Sequence, residues 1–245
     1  MRRSVSSPWL RTRLTRGGLR VPARRLKWQL AKARGIVTGS FAQDGEDEML
    51  LEHFDLPPQG TYIDVGANHP WALSNSYLLY RRGWRGVTVE PTDWLAELQR
   101  RHRPRDTCLT AACGAERATL RFFVMEPHVL STLSEAEMLR LVAQGRARLV
   151  TEEQVPVVTI SDITTLLLGS PVDVLFTDTE DYELEVLQGV DWVAGRPRVV
   201  VSELASLTND RRAEIVAFLA DQGYAYRRES RHNAFFTDAL PGVRC

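Results

Sequence analysis

The apolar positions of this 245-residue chain follow two alternating rhythms. Short runs rich in β-branched and aromatic residues read as buried strands: one from 61 to a small-residue turn at 66–68, then 86–90, 107–111, 119–124, 172–177 and 198–201. Between them the spacing turns helical, at Met49, Leu50 and Phe54, at Tyr77 to Tyr80 before Gly83, and at Trp94, Leu95 and Leu98. It does so again at Leu184, Val186 and Leu187 before Gly189, and at Ile215, Phe218 and Leu219. Such alternation implies a parallel sheet with helices on both faces, an α/β fold. Two last runs, 224–228 and 233–237, have the spacing of a closing hairpin.

The rhythm weakens over 126–153, where Ser131 to Ser134 lead into a helix around Met138 to Val142; this is expected to be an insertion or lid. Strand character resumes at 155–160 with Pro156, which favours a sheet edge, and Ser161 or Asp162 is expected to cap the short helix after it.

Length suits one large domain, taken as 36–245, plus a tail. The zero net charge conceals a division: eleven of the 31 basic residues, and no acid, fall in residues 1–35. This basic arm is expected to be loosely ordered, and it could touch anionic membrane or a protein partner. No specific nucleic-acid binding is expected. No apolar run approaches the ~20 residues of a membrane span and none follows the arginines as in a signal peptide, so a soluble, cytoplasmic protein is expected. Cys108, Cys113 and Cys245 lack CxxC spacing and support neither disulfides nor a zinc site.

Chemistry concentrates at strand ends. Asp64, Glu90 and Asp178 close three runs and Glu203 a fourth. In open α/β sheets ligands bind beyond the carboxyl ends of the strands, where a glycine turn admits the ligand and an acid about 20 residues on grips ribose hydroxyls. Gly66 and Glu90 fit these two parts, which points to a nucleoside cofactor; G-x-G-x-x-G is absent, which disfavours a dinucleotide dehydrogenase. The acids of 178–183 could hold Mg²⁺, but acids also favour a helix start, and no metal site is assigned.

The ordered set Ser40-Phe-Ala-Gln-Asp-Gly-Glu-Asp47, Asp64-Val-Gly-Ala-Asn68, Ser74-Asn-Ser76, Gly83-Trp84-Arg85-Gly86, Val89-Glu90-Pro91, Arg103-Pro104-Arg-Asp106 and Arg196-Pro197 resembles FkbM-type S-adenosylmethionine-dependent methyltransferases over about 40–238. The resemblance implies a class I methyltransferase (Rossmann-like) fold: a doubly wound, mostly parallel seven-stranded sheet ending in an antiparallel hairpin. It implies S-adenosylmethionine as cofactor, held by Asp64, Gly66, Ala67 and Asn68, by Glu90 at the ribose and by Asp106 near adenine, with Gln43 and Glu46 at the pocket mouth. The reaction it implies is O-methylation of a small-molecule or glycan acceptor, with Glu180, Asp178 and His69 as catalytic candidates; the alternative is a relative that binds without turnover. Two departures stand out. Pro70 replaces a glycine, removing one amide the loop could offer the cofactor, and Asp181 replaces the glycine of D-x-E-G-x-E, adding charge expected to alter the acceptor pocket.

Overall fold

The computed structural model describes residues 20–239. Their strands are β1 (Thr61–Val65), β2 (Arg85–Val89), β3 (Thr107–Leu109), β4 (Ala112–Cys113), β5 (Ala118–Glu126), β6 (Arg148–Val158), β7 (Val174–Thr177), β8 (Val199–Glu203), β9 (Tyr224–Glu229) and β10 (Asn233–Asp238). Seven form one sheet in the order β3-β2-β1-β7-β8-β10-β9, with β10 antiparallel to both its neighbours and the others parallel where they pair. This is the expected sheet with its reversed hairpin strand.

Side-chain alternation sorts the sheet's two faces. In register, Val87, Ile63, Leu175 and Val200 form a row across four strands. That face packs on α6 (Ile160–Thr164), α7 (Glu183–Gln188) and α8 (Asn209–Asp221) through Ile163, Val186, Leu187, Ile215 and Leu219. The opposite face, with Tyr62, Phe176 and Val201, packs on α2 (Glu46–His53) and α3 (Tyr77–Arg81). The central strands are therefore apolar on both sides, which is why they read as near-continuous runs.

The region expected to be a lid is wider than 126–153. β5 and β6 pair antiparallel, and with β4 they make a separate three-stranded sheet spanning 112–158, so the run at 119–124 does not join the parallel sheet. This smaller sheet buries side chains on both faces: Phe122 packs with Ala112, Val155 and Val157 on one, while Phe123 and Met125 close a small core against Met138 and Leu141 of α5 (Glu135–Ala143). Pro156 sits in the middle strand, where β4 reaches only Val157 and Val158. The cap of α6 is Thr159 rather than Ser161 or Asp162: its hydroxyl accepts from the Asp162 amide while the Asp162 carboxylate accepts from the Thr159 amide, a reciprocal capping box.

The arm also departs from expectation. Its second half is helical, α1 (Arg20–Thr38), while residues 1–19 lie outside the described residues. Aromatic contacts hold it: the Trp28 carbonyl accepts from Trp71 Nε1 at 3.0 Å, and the Lys32 ammonium sits 4.6 Å from the Trp71 ring centre.

Beneath the first strand lies a buried cation. Arg103, just after α4 (Asp93–His102), is fully enclosed. Its Nε donates to Asp106 at 2.8 Å, and Nη2 donates to the Tyr62 hydroxyl at 2.7 Å and the Ser76 hydroxyl at 2.9 Å. The Ser76 hydroxyl in turn donates to Asp64. Removing one partner of such a network strands the buried charges left behind. Replacing Arg103 by Met is expected to lower the unfolding free energy by about 3 kcal/mol or more, read by urea denaturation; a change within experimental error would show that the network carries no stability.

Candidate cofactor and acceptor cavity

At the carboxyl ends of β1, β2, β7 and β8 lies a cavity of about 770 Å³. Asp64, Gly66, Ala67, Asn68, His69 and Glu90 line it, and Asp178 and Glu180 do so from the next strand. The volume lies in the ~300–1,000 Å³ range of small-molecule sites.

The first loop is set by glycine geometry. Gly66 has φ +79°, and a β-carbon there would stand 1.8 Å from the Asp178 carbonyl oxygen, so only glycine lets the turn pass the end of β7. The Gly66 and Ala67 amides both donate to the Val89 carbonyl, at 3.0 and 3.1 Å, and the Asn68 amide donates to the Glu90 carboxylate at 3.0 Å. The loop's amides are thus committed to the end of β2, and the missing amide of Pro70 is not the distinguishing feature it was expected to be. Gln99 of α4 steadies the outside of the turn, donating to the carbonyls of Ala67 and Asn68.

Glu90 is buried at this junction. One carboxylate oxygen accepts from the Asn68 amide and the other from the Thr92 amide at 2.8 Å, and the Thr92 hydroxyl also hydrogen-bonds the carboxylate. Burial pushes its pKa up to about 7, against the pull of these amides. Asp64 is likewise raised by burial, with Arg103 and Ser76 opposing.

His69 is wedged between Trp28 of α1, 4.4 Å between ring centres, and Trp71, 4.5 Å away edge-on. Burial, aided by His102 and His128, lowers its pKa to about 3, so the ring is neutral at physiological pH. Nδ1 accepts from the amides of Ala72 and Trp71, at 3.3 and 3.5 Å, which places the proton on Nε2, an atom buried without a partner. In this tautomer His69 carries a buried donor at Nε2, not the proton acceptor expected of a catalytic base.

The far wall is acidic. Oxygens of Asp178, Glu180 and Glu203 lie within 4.8 Å of one another. The pKa values of all three are raised first by burial; the next contribution to Asp178 is the charge of Asp64, opposed by a hydrogen bond with Glu203, and the next to Glu180 and Glu203 is the charge of Asp178. The acids that converge are not the 178–183 set considered for Mg²⁺, because Asp181 and Glu183 turn elsewhere. Glu183 accepts from the Thr179 amide and hydroxyl through one oxygen while its other oxygen is buried without a partner, and burial raises its pKa to about 7.

Asp181 occupies the left-handed region expected of the glycine it replaces, at φ +73°, next to Glu180 at φ +56°. Its carboxylate accepts from the Ser134 hydroxyl at 3.0 Å and from Arg211 Nε at 3.3 Å. The added charge is neutralised outside the cavity, so Asp181 does not alter the pocket wall as expected. Asp106 is also displaced from its expected role. It is enclosed by Arg103, Tyr62 and the Gly86 amide and does not reach the cavity, leaving no oxygen for adenine. Gln43 does line the cavity, whereas Glu46 is buried against Ser230 and Asn233, tying α2 to the β9–β10 hairpin.

Several lining residues escape sequence reasoning. Lys27, Trp28 and Arg34 come from α1, and Arg140 and Arg146 from the inserted segment. Arg140 is engaged by Glu137, while Arg146 exerts the opposing pull on Glu180. An aromatic residue within a basic tract of helical spacing was the one available signal for Trp28.

Comparison with known proteins matches residues 64–226 to the methyltransferase FkbM domain. No curated protein matches the chain. Among solved structures, a methyltransferase FkbM from Methylobacillus flagellatus is 12% identical with a TM-score of 0.53, over 80% of this chain and 48% of that one. The chain therefore spans about half the length of that protein. A TehB-like SAM-dependent methyltransferase from Corynebacterium glutamicum is 12% identical over 89% of this chain and 99% of its own, with a TM-score of 0.46.

The buried acids fix a pH trend. Glu90 and Glu183 hold protons to about pH 7 in the folded chain but release them near 4.5 when unfolded. The folded state binds more protons in that window, so stability falls as pH rises through it. His69 acts in the opposite sense only between about 3 and 6.5. The thermal midpoint is expected to drop between about pH 6 and pH 8, and Glu183→Gln to shrink the drop; a midpoint that rises across this interval would contradict the assignment.

Proposed function

Because the chain belongs to the FkbM methyltransferase family, we propose that it transfers a methyl group from S-adenosylmethionine to a hydroxyl of a glycan or secondary metabolite. The observation that carries this reading is Glu90, a buried carboxylate beside Asp64 that lines a cavity of nucleoside size at the end of β2. A vicinal ribose diol presents two donors that such a carboxylate accepts as charge-assisted hydrogen bonds. When bound, the cofactor supplies an electrophilic methyl on a cationic sulfonium.

The residues then divide the work by position. Asp64, Gly66 and Asn68 shape the floor, and Glu90 fixes the ribose. These contacts hold orientation, which supplies much of the rate in a displacement that must be in line. Asp178, raised toward neutrality by burial and by Asp64, is the carboxylate suited to take the acceptor hydroxyl's proton. Glu180 and Glu203, raised further, hold protons and complete the hydrogen-bonding wall.

Calorimetry with S-adenosylhomocysteine tests the cofactor assignment. Binding to the folded protein is expected, weakened about tenfold or more in Glu90→Ala, and no binding would sink the assignment. The base is tested with isotopically labelled S-adenosylmethionine and an extract of the source cells. Wild type should label a glycan or metabolite, while Asp178→Asn should bind S-adenosylhomocysteine normally and transfer little label; full transfer by the variant would remove Asp178 from its role.

A further inference from the structure

We propose that α1 is a membrane-docking helix that seats the protein on anionic phospholipid. The helix has two unlike faces. Lys27, Trp28, Ala31 and Arg34 line the cavity, and Trp28 anchors them through Trp71 and His69. Leu26, Leu30, Ala33 and Val37 fall at i, i+4, i+7 and i+11, a single stripe turned the other way. The stripe is open: Leu26 is 62%, Leu30 61% and Val37 85% exposed, with Ala33 also exposed and Ile36 beside it at 58%. Large aliphatic side chains aligned over about 16 Å of helix do not stand in water without a purpose, and scattered surface apolar residues do not align in this way.

Charge decides what covers the stripe. The first 35 residues carry eleven cations and no acid. Within the described part of α1, the exposed Lys27 and Arg34 border the stripe on its cavity side, while Lys32 packs over Trp71. An apolar stripe bordered by cations is the pattern of a helix lying in the interface of an anionic bilayer, its apolar side chains among the acyl chains and its cations among the headgroups. The acidic body cannot be the occupant, since α1 already faces it with the opposite side. A second copy would bring two all-cationic arms together across a two-fold axis, which like-charge repulsion opposes. Docking by this face also places the cavity, lined by the helix's other side, about one helix diameter, ~10 Å, from the bilayer surface.

The inference is independent of the methyl-transfer assignment, and its test uses the full chain. Co-sedimentation with vesicles of phosphatidylcholine alone and of phosphatidylcholine with phosphatidylglycerol should show partitioning about tenfold or more stronger on the anionic vesicles, falling at high salt. Leu26→Glu with Leu30→Glu, and separately Val37→Glu, should each lose about tenfold or more of that partitioning. Both act at exposed positions, and an unchanged thermal midpoint confirms that each variant is folded. Failure of the wild type to sediment overturns the proposal, as does equal sedimentation by the variants. A stable dimer in sedimentation velocity that the variants dissociate would assign the stripe to a second copy. A co-purifying acidic protein that the variants release, without vesicle binding, would assign it to a protein partner; either result overturns the membrane assignment.

Discussion

The carboxyl edge of the main sheet gathers five buried or half-buried carboxyl groups, and much of the structure is arranged to keep them there. Asp64, Glu90, Asp178 and Glu203 arrive on four adjacent strands, and Glu180 joins them from the turn after β7. Each is handled differently. Arg103 reaches Asp64 through the Ser76 hydroxyl, Glu90 is balanced by two backbone amides, and Asp178, Glu180 and Glu203 are raised toward neutrality by burial. A set of buried acids is costly to maintain, and its retention beside a cavity is most simply accounted for by a guest that brings donors.

The same edge couples the inserted sheet to the chemistry. The Thr132 hydroxyl donates to the Glu180 carbonyl at 2.5 Å, and Ser134, the cap of α5, donates to Asp181. Arg211 at the start of α8 grips Asp181 from the other side and also binds Glu185. The strained pair Glu180–Asp181 is therefore held by two separate segments, the condition under which a left-handed non-glycine backbone persists. The charge that replaces glycine serves as a structural bolt.

The sheet was legible in the sequence because its strands are short, apolar on both faces and punctuated by Gly and Pro, and the order of motifs located the cavity before any geometry. Gly66, Asn68 and Glu90 were readable because their roles depend on local backbone and on one neighbouring strand. What escaped depended on distance. Asp106 looks like a ligand-facing acid until Arg103, Tyr62 and Gly86 are seen to enclose it. His69 looks like a base until its Nδ1 is found accepting from the backbone. α1, with no acid and a low mean hydropathy, read as a tail, since nothing local in the sequence shows that Trp28 meets His69 and Trp94. The run at 119–124 has strand character in either sheet, and only its partner β6 decides which.

The central claim is that a nucleoside cofactor is held at the junction of β1 and β2 by Glu90. A crystal structure of the protein soaked with S-adenosylhomocysteine tests it most directly. The account predicts both ribose hydroxyls within hydrogen-bonding distance of the Glu90 carboxylate, with Asn68 and Thr92 still donating to it. A ligand bound elsewhere, or one whose ribose faces away from Glu90, would contradict it.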